Sequence, residues 1–452
     1  MMVGLCNEAY LQRTRIAIDR LIALIDVALS RQLDGILHHP DFQRLEAAWR
    51  GLQWLVHRVE PANPVMIKIL HAGWAEICRD LARAQEFDQS SLFNLVYEQE
   101  FGSAGGRPYG MLIGLYEVRH QRSEEHRTDD ISALRSLAEI AAAAFAPLIV
   151  SAAPSMFGVE SWRGLGRHLD LSGLLRDPAY QRWLSLGGLA DARFLGVALP
   201  RILLRRPYES AKTLTLDAYD EYVDHSSGLL WGHPGFAVAA VAIRAFESHR
   251  WFADIRGVPE GGNGGFLDGL PLLGFDGTET PPVPQSPVEV MLSESQDRQL
   301  QEAGFIPLSP ARFTGGLVLY GNQSIRQPEN FGEANARISE RLSSMLQYVL
   351  CVSRFAHHIK VMLRDRIGSI STPSAVENML NEWLNRYSNA NDAASPELKA
   401  RYPLSGAVAT VQEHPADPGR MLCEVQLQPR FQLDYVDAAF SIATEIRARE
   451  KV

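Results

Sequence analysis

Met111-Leu-Ile-Gly-Leu-Tyr-Glu-Val118 is a short apolar run after a turn-rich segment, and it reads as a strand. A charged loop, Arg119–Asp130, separates it from Ile131-Ser-Ala-Leu-Arg-Ser-Leu-Ala-Glu-Ile-Ala-Ala-Ala-Ala-Phe-Ala146, which is Ala-rich and of helical length. A second apolar run follows at once, Leu148-Ile-Val-Ser-Ala152. Strand, helix and strand in this order predict an α/β chain of mixed α+β character.

Upstream of this unit, Ile18, Leu21, Ile22, Ile25, Leu29, Leu33, Ile36 and Leu37 recur at helical spacing. Pro40 ends that helix, and Asp41 can cap a second one whose apolar face is Phe42, Leu45, Trp49, Leu52 and Val56. An αα-hairpin is expected, then a buried strand at Val65–Leu70 and helices at Trp74–Ala84 and Ser90–Glu100. Downstream the same reading gives a strand at Arg193–Leu199 and a helix at Pro234–Arg250. Residues 256–287 turn rich in Gly and Pro, including Pro281-Pro-Val-Pro284, as in a long ordered loop or a domain boundary. Beyond it lie a strand (Val288–Leu292), a helix (Glu294–Ala303), a strand (Gly316–Tyr320), a helical tract (Glu333–Ile367) and a helix (Ser374–Tyr387). Two β-rich runs close the chain, Gly406–Val411 and Met421–Leu427, around a turn at His414–Gly419. The expected organisation is multi-domain: an arm over residues 1–17, a main unit over 18–367 and a C-terminal unit over 368–452.

The 452 residues are 46% hydrophobic and 21% charged, an ordinary globular composition with apolar mass for two or three domains. A net charge of -9 and a pI of about 5.8 argue against general affinity for nucleic acid or anionic lipid. Glu8, Arg13, Arg15, Asp19 and Arg20 interrupt the start of the chain, so no signal peptide is expected. The nearest approach to a membrane span, Ile140–Ala153, is shorter than the ~18 apolar residues required. Cys6, Cys78, Cys351 and Cys423 are scattered without a CxxC pair, as expected of reduced thiols in the cytoplasm.

Motifs for chemistry are weak. Gly261-Gly-Asn-Gly-Gly265 is followed by Phe266 and Leu267 where a P-loop needs Lys, so it reads as loop. His38-His39 and His357-His358 are adjacent pairs, and adjacent side chains on a helix diverge by about 100°, so neither pair chelates alone. A polar role at a helix end suits His38 and His39 better. No Gly-x-Ser-x-Gly elbow is present. Neither catalytic, cofactor nor metal residues are expected. An α/β enzyme of unknown reaction retains only size and layers in its favour.

Two surfaces are candidates for assembly. Ser353, His357, Lys360 and Arg364 fall on one helix face at spacings of four, three and four, a basic stripe that reads as a solvated face or a docking surface for an acidic neighbour. Val408, Thr410 and Val411 with Leu422, Val425 and Leu427 form a hairpin-like pair. Two strands alone are marginal, so the pair joins a sheet in its own domain or one completed by other chains.

Several segments resemble one family. They are Leu37-His-His-Pro-Asp-Phe-Gln-Arg-Leu-Glu-Ala-Ala-Trp-Arg-Gly-Leu52, Phe101-Gly-Ser-Ala-Gly-Gly-Arg-Pro-Tyr-Gly110 and Leu199-Pro-Arg-Ile-Leu-Leu-Arg-Arg-Pro-Tyr208. Gly304-Phe-Ile-Pro-Leu308, Ser353-Arg-Phe-Ala-His-His-Ile-Lys360, Arg364-Asp-Arg-Ile-Gly-Ser369 and Pro429-Arg-Phe-Gln-Leu433 continue in the same order. The chain is similar over most of its length to the large sheath subunit of type VI secretion (TssC, also called VipB). The resemblance implies a phage-tail-sheath-like fold without catalysis, in the bacterial cytoplasm. It implies pairing with a small sheath subunit (TssB/VipA-like) and with copies of itself around an Hcp-like inner tube, on baseplate components. An AAA+ unfoldase would act on it indirectly, through the small subunit. It also implies that Gly406–Val411 and Met421–Leu427 share a sheet with neighbouring chains. The arm before Ile18 is shorter than the family's usual one. An accessory paralogue that binds the small subunit or baseplate without propagating a sheath is therefore the second expectation.

Overall fold

The computed structural model describes residues 2–447 apart from 104, 167–169, 209–218, 224–227, 253, 259–263, 273–285, 312–313, 328–339, 366–371, 390, 392–395, 414–419 and 430–439. The cluster at 261–263, the prolines of 281–284, the start of the helical tract and the turn at 414–419 lie outside the described residues.

Helix α1 (Met2–Leu37) is continuous, so residues 2–17 are its first half rather than a separate arm. His39 caps α2 (Pro40–Val56): its Nδ1 accepts the Asp41 N–H at 3.3 Å, with Pro40 in the first helical turn. The strand expected at Val65–Leu70 is not formed. Among the described residues that segment has no pairing partner, and Met66, Ile69 and Leu70 are exposed. Helix α3 (Trp74–Arg83) follows, then α4 (Ser91–Phe93), which runs on in wide π-type turns through Asn94–Gly102.

The strand–helix–strand unit forms as read: β1 (Leu112–Val118), α5 (Asp130–Ala144) and β2 (Leu148–Ala152). Asp129 caps α5 by accepting the Ser132 N–H. β3 (Leu195–Leu199), β4 (Ile202–Arg205), β5 (Leu230–Gly232) and α6 (Gly235–His249) come next. They are followed by β6 (Phe266–Leu267), α7 (Glu294–Glu302), β7 (Phe305–Pro307), β8 (Ser309–Pro310) and β9 (Leu317–Val318). The run expected as a strand at Val288–Leu292 contributes only an isolated bridge, Ile202 to Val288.

β1, β2, β3 and β7 make one parallel sheet in that order. Leu148, Val150, Ala152, Leu195, Val197, Leu199 and Phe305 pack with α5 on one face. Ile149, Ala198 and Ile306 pack with α6 and with Leu346 and Leu350 on the other. Covering both faces in this way is what a parallel sheet requires. A Cβ at Gly196 would come within 2.9 Å of Ile149, Leu346 and Ile306, so glycine lets that layer close.

Helix α8 (Leu346–Asp365) begins after a break: Met345 bridges to Gln323, and the Leu346 N–H donates to the Asn322 carbonyl at 2.9 Å. With α9 (Pro373–Asn385) it backs a three-stranded antiparallel sheet. The strands are β10 (Leu404–Glu413), β11 (Arg420–Pro429) and β12 (Phe440–Arg447). Phe355, Ile359 and Leu363 of α8 share a core with Val376, Leu380 and Leu384 of α9 and with Ala409, Val411, Cys423, Val425 and Leu427. Residues on both sides of 367 thus belong to one core.

Candidate assembly surfaces

The C-terminal sheet alternates with the strand period of two. Val411, Val425 and Leu427 face inward and are buried in the core just described, so their side chains serve this chain itself. Val408 and Thr410 are exposed on the other face, with Leu422 half-buried beside them. Burial pushes the inward Cys423 thiol up to about 11, which leaves it unreactive. β12 pairs with β11 through Leu427–Phe440 to Arg420–Arg447. Sequence reasoning missed this third strand. Alternation across Phe440–Arg447 was the available signal, with Phe440, Ile442 and Ile446 on one parity, weakened by Thr444 within that set and by Ala443 in the other.

Helix α1 is the second surface. Leu21, Leu24, Ile25 and Ile36 are each more than half exposed, as are Ile18, Ile22 and Leu29. The apolar stripe read from spacing is therefore present and uncovered. Its root is clamped by charge. Arg205 Nε donates to Glu46 Oε1 at 2.9 Å, and Arg205 grips Glu221 through both terminal nitrogens. His38 Nε2 lies 3.1 Å from Glu221 Oε1, and Tyr219 donates to Asp34 Oδ1 at 2.8 Å. The Glu221 side chain is fully buried. Burial alone would raise its carboxyl pKa, but bonds from Arg205, the Tyr208 N–H and His38 outweigh it and hold the pKa below the ordinary value.

The basic stripe faces the chain's own fold. Ser353 is buried. His357 Nε2 donates to the Ala144 carbonyl at 2.9 Å at the end of α5, and burial pulls its pKa down to about 4. Lys360 Nζ sits 4.8 Å from the Phe145 ring centroid and 5.2 Å from that of Phe101, a cation–π site. Arg364 donates to the Phe101 and Ser103 carbonyls at 3.4 and 3.2 Å. His357, Lys360 and Arg364 join α8 to α5 and to the turns that continue α4. Spacing identified the face but could not say what lay against it.

Among the described residues no group of three or more His, Cys, Asp or Glu could hold a metal. None of the described helices is long and apolar enough to cross a membrane.

The VipB family model described as EvpB/VC_A0108, tail sheath N-terminal domain, matches residues 19–326. A second, described as EvpB/VC_A0108, tail sheath gpW/gp25-like domain, matches residues 335–446. This chain belongs to the VipB tail sheath family. The type VI secretion system sheath protein TssC1 of Pseudomonas aeruginosa is 33% identical over 437 residues, covering 95% of this chain and 86% of that one. Among solved structures, a sheath tail protein of Desulfitobacterium hafniense aligns at TM-score 0.34 and 8% identity, covering 71% of this chain and 55% of its own. The anti-feeding prophage baseplate aligns at TM-score 0.36 and 11% identity, covering 86% and 81%. The family assignment rests on the two domain matches and the Pseudomonas relative. Membership makes the chain a structural sheath protein of type VI secretion and implies assembly with a small sheath subunit and with itself.

Proposed function

We propose that this chain is the large subunit of a contractile secretion sheath in the bacterial cytoplasm, polymerising with the small subunit by sharing β-strands. The sheath would surround an inner tube, stand on a baseplate and drive the tube outward when it shortens. An AAA+ unfoldase would reach the chain through the small subunit, and the reading assigns this chain no reaction of its own. The observation that carries it is the C-terminal sheet, three strands long with an exposed face, in a chain that also leaves an aliphatic helix uncovered. Apolar surface on that scale marks a site of association. Strand pairing suits a moving lattice, because backbone hydrogen bonds between chains persist while the bodies they connect rotate. Co-expression with the cognate small subunit is expected to give both chains together near the void volume of a sizing column. Separate elution of the two overturns the reading.

A further inference from the structure

The two outer edges of the C-terminal sheet are not equivalent. On β10, alternate residues turn their backbone groups away from β11. Ala409 is one of them: its N–H donates to Asn381 Oδ1 at 2.8 Å, and its carbonyl accepts from Asn381 Nδ2 at 2.9 Å. A single carboxamide thus makes the two bonds that a residue of a neighbouring strand would make. Two residues on, the Val411 N–H donates to Glu377 Oε2 at 3.0 Å. Asn381 and Glu377 stand one turn apart on α9. At the start of the strand the Leu404 carbonyl accepts the Asn389 N–H at 3.0 Å, and its N–H reaches the Tyr387 carbonyl at 3.4 Å. Helix α9 and the turn after it therefore lie where a further strand would go.

The ladder then fixes the opposite edge. Because Ala409 and Val411 point outward, Val408, Thr410 and Gln412 are the residues bonded to β11, at Gln426, Glu424 and Leu422. The odd-numbered residues of β11 accordingly turn toward β12. They meet its even-numbered residues Phe440, Ile442, Thr444 and Ile446. Ser441, Ala443 and Glu445 then direct their N–H and C=O groups away from the sheet, where no strand pairs with them among the described residues.

We infer that this sheet accepts a strand on one side only: Asn381 and Glu377 close the β10 edge as a surrogate strand, and the strand of another sheath polypeptide adds along β12 at Ser441–Glu445. The inference rests on the assembly proposed above and deepens it. A sheet with one open edge gives growth a direction, and it keeps free chains from pairing β10 to β10.

Residue-resolved amide exchange on the full chain tests this without any substitution. In the free chain Ala409 and Val411 are expected to be protected while Ala443 exchanges at close to the unstructured rate. Adding the small subunit should protect Ala443 and leave Ala409 unchanged. Rapid exchange at Ala409 with protection at Ala443 in the free chain overturns the proposal. A matched pair of variants gives a second reading, since Ala407→Pro and Ala443→Pro each remove one outward N–H and no bond within the sheet. A443P should abolish pelletable assembly with the small subunit and A407P should retain it; the reverse pattern rejects the one-sided sheet. If the unaltered chain fails to assemble at all, the sheath reading falls, while the exchange pattern of the free chain still decides which edge is open.

Discussion

The parallel sheet β1–β2–β3–β7 and the antiparallel sheet β10–β11–β12 draw on similar apolar residues but meet different surroundings. Every residue of β2 and β3 is buried, and helices cover both faces. In β10 and β11 only the inward residues are buried, and the outward ones, Val408, Thr410 and Gln426 among them, meet water. The two central strands of the first arrangement are bonded on both sides and packed on both faces within the chain, and the sheet serves as a frame. The second keeps a face and an edge in reserve, as a connector does. A frame fails by losing its own stability, whereas a connector fails by losing its neighbours while its own fold persists.

That contrast can be broken first in the frame. Phe305, buried in β7, stacks on Trp183 at 5.7 Å and meets Phe157 at 5.2 Å. Phe305→Ala should cost about 3–5 kcal/mol in urea unfolding. Glu221→Ala should cost about 3 kcal/mol, because it leaves both terminal nitrogens of the buried Arg205 without their carboxylate and only Nε still paired with one, that of Glu46, at the root of α1. A loss under 1 kcal/mol in either case would remove that group from the frame.

The pH dependence of stability sharpens the same point. Burial holds His233 and His357 near 4, against an ordinary value of 6.5. Between those values the unfolded chain binds protons that the folded chain refuses, so stability should fall as pH drops from about 6.5 toward 4. His357→Gln should flatten part of that slope in urea titrations repeated across this range, and an unchanged slope would show that His357 does not contribute.

The connector should respond more mildly. Asn381→Ala removes both bonds to Ala409 and should cost about 1–3 kcal/mol locally. Amide exchange should show it as faster exchange at Ala409 with the urea midpoint little changed. A large midpoint shift would make β10 part of the frame instead. Smallest of all, the buried Cys351 and Cys423 thiols, pushed up to about 12 and 11, should resist labelling in the native chain and react once it is unfolded.

The frame was the more legible of the two in the sequence. Met111–Val118, Ile131–Ala146 and Leu148–Ala152 carry strand and helix periods without contradiction, and α1, α2, α6 and α9 announce themselves by spacing and caps. Failures occurred where local pattern depended on a distant partner. Val65–Leu70 has strand composition but meets no strand among the described residues, so it forms no ladder. The tract leading into α8 breaks at Met345 because Asn322 and Gln323, far upstream, bind its backbone. The stripe from Ser353 to Arg364 looks solvated by composition, yet aromatic rings and free carbonyls of α4 and α5 give its cations partners inside the fold. The hairpin was read correctly. Which of its edges is occupied was not, since Asn381 and Glu377 lie on a helix whose sequence says nothing of what it touches.

Electron micrographs of this chain co-expressed with its small subunit test the central claim most directly. The account predicts long hollow tubes containing both polypeptides. Fields of separate, uniform particles the size of single chains or lone pairs would contradict it.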